Sequence, residues 1–146
     1  MKKIDVVKIC IAKTETTQYN DKNINNAEAV ADVIRSLVGT SADEHFYVLV
    51  VDVKNKITCI QEGARGGPET VTFSPKDIFR AAILAGGSGI IVSHNHPSGD
   101  PSPSPEDKLL TIRLQECAKI LGFRFLDHVV VGNEKKYYSF NESGIL

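Results

Sequence analysis

Gly89-Ile-Ile-Val-Ser-His-Asn-His-Pro-Ser-Gly-Asp-Pro-Ser-Pro-Ser-Pro-Glu-Asp107 is the stretch that decides how this chain folds. Residues 89–94 are apolar and β-branched and read as a buried strand. Side chains alternate across a strand, so His94 and His96 share a face and present two imidazoles where the strand ends. Pro97 cannot continue a central strand, which puts the pair at an edge or a mouth of the sheet. The loop that follows is rich in Gly and Pro and leads into a helix expected from Pro105 to Leu121, ended by Gly122. Ser104 is its cap, Pro105 its first residue, and Asp107 at the third position closes a capping box. Each half alone has an ordinary reading, polar strand residues and a plain helix start. Together, two imidazoles and a carboxylate suit a zinc ion with a fourth position open for water. Water so bound has its pKa lowered to about 7. An Asp107 engaged as the capping-box acceptor is expected not to serve fully as a ligand as well.

Outward from this stretch, helices and strands are interspersed. Ile4 to Ala12 is strand-like and Thr14 to Asn26 reads as a polar loop. Ala27, Val30, Val33, Ile34, Leu37 and Val38 recur at helical spacing, with Asn26 as cap and Gly39 as stop. Phe46 to Val53 has the density of a central strand and returns through Lys54-Asn55-Lys56 to Ile57–Gln61 as a hairpin. Gly63 to Pro68 reads as a flexible loop, carrying Arg65, and Thr70 to Phe73 as a short strand. Ser74-Pro75-Lys76-Asp77 opens a helix that stops at Gly86-Gly87. Phe123 to Val131 and Tyr137 to Phe140 complete the set as strands joined by a turn at Gly132-Asn133. The fold class is α/β of the α+β type: a mixed, partly antiparallel sheet flanked by helices. Asp127 and His128 read as polar residues at a strand start, in preference to a carboxylate–imidazole support for the metal.

The chain's 146 residues are expected to form one domain, 1–146, large enough to need no staple. With 17 basic and 18 acidic residues the formal net charge is −1, which gives no bulk attraction to nucleic acid or anionic lipid. Cys10, Cys59 and Cys117 are odd in number and form no Cys-x-x-Cys pair, arguing against a disulfide framework or a zinc knuckle. Buried free thiols in a reducing cytoplasm are the expectation. Asp5, Lys8 and Lys13 interrupt any signal-peptide core, and no apolar run approaches the ~20 residues of a membrane helix.

His94-x-His96-Pro97-x-Gly99 followed by Ser104-x-x-Asp107 resembles the metal motif of the JAB/MPN (JAMM) metalloprotease superfamily. The longer string His94 to Asp107 is similar to the RadC family, as are Phe73 to Ala82 and Leu126-Asp-His-Val-Val-Val-Gly132 on either side. The resemblance covers about Asp43 to Phe140 and implies a JAB/MPN-like fold. It implies His94, His96 and Asp107 as metal ligands and Ser104 as support for the bound water or a developing oxyanion. It implies Glu44, placed after the first helix and before a central strand, as general acid/base, with Asp43 as the neighbour most easily confused with it. Longer members carry a helix-hairpin-helix segment; residues 1–42 offer no such pair, so a stand-alone catalytic-type domain is expected. His45 reads as an exposed neighbour of Glu44.

Three functions follow. The first is a zinc-dependent hydrolase of amide, peptide or isopeptide bonds acting on a peptide or protein. The second is a DNA-repair-associated, nucleic-acid-processing factor, the family's traditional label, which the charge does not support. The third is a non-catalytic, metal-keeping scaffold. A zinc deaminase needs His-x-Glu and Pro-Cys-x-x-Cys, and the chain has neither.

Overall fold

The computed structural model describes residues 1–18, 24, 26–66 and 74–146. In chain order the elements are α1 (Ala27–Val38), β1 (Glu44–Val51), β2 (Ile57–Gly66), α2 (Pro75–Leu84), β3 (Gly89–Asn95), α3 (Pro105–Leu121), β4 (Arg124–Val131) and β5 (Tyr137–Ser139). The strands form one mixed sheet in the order β2-β1-β3-β4-β5. Only β3 and β4 run parallel, because α3 carries the chain back between them; the other neighbours are antiparallel.

The alternation of β1 and β3 divides the core in two. Tyr47, Leu49, Val51 and Ile91 face α1, which buries Ala27, Val30, Ala31 and Ile34 against them. Phe46, Val48, Val50, Ile90 and Val92 face α2 and α3, meeting Ile78, Phe79, Ala82, Leu114 and Ala118. The α1 boundaries are those the sequence predicts: the Asn26 side chain accepts the Ala29 N–H at 2.9 Å, and Gly39 ends the helix at φ 58°.

The parallel pair contains a β-bulge. Ile90 is opposite Phe125 and Ile91 is opposite Asp127, so Leu126 is an extra residue. Phe125 packs toward α2 and α3, but beyond the bulge it is His128 and Val130, opposite Val92 and His94, that face this side.

Three expectations change. Ile4 to Ala12 forms no strand and is exposed, since β-branched residues make a strand only where another strand pairs with them. Gly63 to Gly66 is not a loop but the end of β2, held in register with β1 as far as Glu44 opposite Gly66. Arg65 therefore sits on a strand, although Pro68 and the strand expected at Thr70–Phe73 lie outside the described residues. The cysteines are less buried than expected: Cys10 is exposed, and Cys59 and Cys117 are half-buried. No helix among the described residues is long and apolar enough to cross a membrane.

Candidate metal centre

β3 is the middle strand of five, and the two histidines stand at its C-terminal mouth. His96 lies one residue beyond β3, yet its backbone N–H still bonds the Val131 carbonyl at 2.9 Å. That bond keeps it in strand register, so it points to the same face as His94 despite Pro97. The loop then returns Asp107, in the first turn of α3, to the same place. His94 Nε2 lies 3.0 Å from His96 Nε2, 3.2 Å from Asp107 Oδ1, and His96 Nε2 lies 3.4 Å from Asp107 Oδ2.

These spacings come close to those that a small metal ion imposes on its ligands. Zinc–ligand bonds of about 2.0–2.2 Å give a tetrahedron with edges of about 3.3–3.6 Å. The donor set, two imidazole nitrogens and a carboxylate, suits zinc chemistry better than the all-oxygen preference of magnesium or calcium. His96 Nδ1 is 2.8 Å from the Asp100 carbonyl, which only accepts, so Nδ1 carries the proton. In its neutral form the ring then offers its Nε2 lone pair to the shared point. His94 is 1% exposed, whereas the side chains of His96 and Asp107 are 18% and 13% exposed, so the open side lies toward those two.

Charge is arranged to match. Burial pushes the Asp107 carboxyl up, but its close contacts with His94 and His96 and the bond from the Ser104 N–H outweigh it and hold Asp107 well below the usual carboxylate range. The hydrogen bond to Asp107 raises His96 above its ordinary value against the opposing effect of burial, with help from the Asp100 carbonyl and the Glu44 charge.

A model of the RadC-like JAB domain matches residues 24–145. The chain belongs to that family. It is 40% identical over 132 residues to the UPF0758 protein TTE0897 of Caldanaerobacter subterraneus, an alignment covering 86% of this chain and 57% of that protein. It is 39% identical over 127 residues to the UPF0758 protein SH1266 of Staphylococcus haemolyticus, covering 86% and 55%. A UPF0758 protein of Clostridium botulinum is 38% identical over 127 residues, covering 87% and 55%. The chain thus spans little more than half the length of these relatives.

In this RadC-like domain the supposed conflict at Asp107 does not arise. The capping box is closed: the Ser104 N–H donates to Asp107 Oδ2 at 2.8 Å, and the Asp107 N–H donates to Ser104 Oγ at 3.1 Å. A carboxylate has two oxygens and about four lone-pair directions, so it caps the helix and faces both imidazoles at once. Ser104 Oγ is spent as an acceptor, and its hydroxyl proton is left to donate.

Glu44 opens β1 and is half-buried. Phe46 is opposite His94 in the antiparallel β1–β3 pair, and the next rung is made by Asn95, whose Oδ1 accepts the His45 N–H at 2.7 Å. Two residues before Phe46, Glu44 falls on the same face and level with His96. Asp43 and His45 fall on the other. His45 is not exposed but 2% accessible, lying on the α1 side between Glu62 Oε1 (2.7 Å from Nδ1) and Ser41 Oγ (2.8 Å from Nε2). Arg65 faces this second cluster, 3.8 Å from Asp43 and 4.0 Å from Glu62.

His128, read from the sequence as a polar residue at a strand start in preference to a support for the metal, lies behind His94. It is fully buried, with Nε2 2.9 Å from His94 Nδ1. Desolvation, reinforced by the neighbouring His94, drives it well below the ordinary histidine value. The Asp127 carboxylate does not reach the His128 ring: adjacent strand residues face opposite ways, and Asp127 is bound by the Ser139 hydroxyl, the Asn141 N–H and the His128 backbone N–H. Burial pushes the Asp127 carboxyl up against those bonds. A signal was available, since a lone histidine inside Leu126–Val131 has to find a partner once buried.

Proposed function

We propose that this RadC-like domain is a zinc-dependent hydrolase of amide bonds in a peptide or protein, peptide or isopeptide. The reading is carried by the convergence of His94 Nε2, His96 Nε2 and the Asp107 carboxylate on one point at an open strand mouth. His94, His96 and Asp107 would hold a zinc ion, which when bound would lower the pKa of a water to about 7 and polarise a carbonyl.

The chain's own groups do the rest. Glu44, on the same face and level with His96, takes the proton given up by the attacking water and passes it to the leaving amine as the C–N bond breaks. The products are a carboxylic acid and an amine, and Glu44 returns to its starting state. Ser104, whose oxygen already accepts the Asp107 N–H, donates its hydroxyl proton to the oxygen that becomes negative. The buried Phe46 stacks on His94 at 6.0 Å, an apolar wall that limits how far that ring turns.

The test is Glu44→Gln, which keeps shape and removes the proton acceptor. The variant is expected to bind zinc and melt like the parent while hydrolysis of a peptide or isopeptide substrate falls about 10²–10⁴-fold. A His94→Ala, His96→Ala double variant is expected to lose the metal. Full retention of zinc by that double variant overturns the ligand assignment. Unchanged turnover in Glu44→Gln moves the proton-transfer role elsewhere.

A further inference from the structure

We infer that Thr111 and His128 form a relay that fixes the tautomer of His94, so that its Nε2 lone pair faces the metal point. The inference rests on the metal reading above but concerns two residues that touch neither metal nor substrate.

The direction of each bond follows from what its partners can do. Thr111 Oγ1 lies 2.7 Å from the Asp107 carbonyl, which only accepts, so the single hydroxyl proton goes there. Thr111 Oγ1 also lies 2.6 Å from His128 Nδ1. With its proton committed, the threonine accepts at this contact, so His128 carries its proton on Nδ1. The ring is fully buried, stacked on Phe140 at 4.9 Å and edge-on to Phe46 at 6.1 Å, where the neutral form is favoured. A neutral ring protonated on Nδ1 has a lone pair on Nε2. That lone pair faces His94 Nδ1 at 2.9 Å, so the proton between the two rings belongs to His94 Nδ1. His94 then presents Nε2, unprotonated when the ring is neutral, toward His96 and Asp107.

The relay thus begins on the main chain of one proposed ligand, Asp107, and ends on the side chain of another, His94. The first turn of α3 and the mouth of β3 are tied through β4. Direction matters as much as contact: were Thr111 to donate to His128, the chain would reverse and His94 would be protonated on the nitrogen that should bind. Thr111 and His128 are positioning residues, acting through His94. Partners of this kind typically change metal affinity about 10–100-fold.

The test uses the full chain with ¹⁵N-labelled histidine. In the metal-free and the zinc-loaded protein alike, NMR is expected to find the inter-ring proton on His94 Nδ1, with coupling across the N–H···N bond to His128 Nε2. A proton residing on His128 Nε2 overturns the relay without any variant having to fold. Zinc affinity, read by competition with a chromophoric chelator, is expected to fall about 10–100-fold in His128→Leu. It is expected to stay close to the parent in His128→Gln, whose amide oxygen can accept from His94. Parent-like affinity in a folded His128→Leu also overturns the relay. A parent that binds no zinc sinks the metal reading instead, and the position of the inter-ring proton still decides the relay.

Discussion

Gly132 is the position where a single methyl group should disturb the metal site from outside it. A Cβ there would stand 2.5 Å from the Gly99 carbonyl oxygen and 2.8 Å from Pro101 Cδ. Both are in the loop that follows the His-x-His pair, and neither neighbour is the free end of a flexible side chain. In Gly132→Ala the loop has to withdraw from the turn after β4, straining the bond from the Asn133 N–H to the Gly99 carbonyl, 2.9 Å at present. Asp100 lies between the two contacts, and its carbonyl is what holds His96 Nδ1 at 2.8 Å. Overpacking of this kind costs about 1–3 kcal/mol. With an unfolding entropy of about 2.1 cal/mol/K per residue, that lowers Tm by roughly 3–10 °C in a chain of this size. Loss of the Asp100 restraint should also weaken zinc about 10–100-fold. The control is Gly86→Ala, where φ is 61° and nothing lies within 4 Å of the added atom. It should cost about 1–2 kcal/mol through backbone strain alone and leave zinc affinity unchanged. Melting curves and chelator competition on both variants decide the matter. Parent-like zinc affinity in Gly132→Ala, or equal weakening in both variants, would refute the reasoning.

Ser104→Ala should cost about 0.5–2 kcal/mol as a lost cap and slow hydrolysis by about 10²-fold or more; Ser104→Asp should keep the stability and still lose activity. If Ser104→Asp is stable and fully active, the hydroxyl has no part in the reaction. In metal-free protein, His96 is raised above its ordinary value by Asp107, so its stabilisation is complete below about pH 6.5 and is lost as pH rises through the raised value. His128 is lowered, so its opposing effect fades as pH rises through the ordinary histidine value, and above that value Tm in chelator should fall as pH rises through the raised value of His96. The depressed Asp107 acts at the other end, its stabilisation present above the ordinary carboxylate range and lost in acid; Asp107→Asn should flatten both slopes, and a parental slope in that variant would count against this pairing. With a net charge of −1, the chain should bind duplex DNA weakly at physiological salt, and submicromolar, steeply salt-dependent binding would favour a nucleic-acid role.

The meeting of His94, His96 and Asp107 was legible because its geometry is local. Period-two alternation pairs His94 with His96, and the helix-start signals around Ser104 and Pro105 place Asp107. The placement of Glu44 came through family resemblance, and the register of β1 against β3 agrees with it. What was not legible depends on pairing across the sheet. The Ile4–Ala12 segment has strand composition without a strand beside it. His45 looked exposed because its partners, Glu62 and Ser41, come from β2 and from the turn after α1. His128 was hidden by the bulge: counting alternately from Phe125 puts Asp127, not His128, on the side of the metal site. The apparent conflict at Asp107 came from counting one acceptor per carboxylate when the group has two oxygens.

The extra residue at Leu126 also sets an electrical balance. With β4 one residue out of phase, the group behind His94 would be an anion instead of a neutral ring. A divalent cation held by two imidazoles and one carboxylate leaves a net +1 at the site, and a second carboxylate behind the first imidazole would cancel it. The hold on the cation would tighten, while its power to acidify water and draw electrons from a carbonyl would fade. Counting residues along one strand, rather than choosing donors around the ion, is how this fold would keep a metal held by His94, His96 and Asp107 electron-poor.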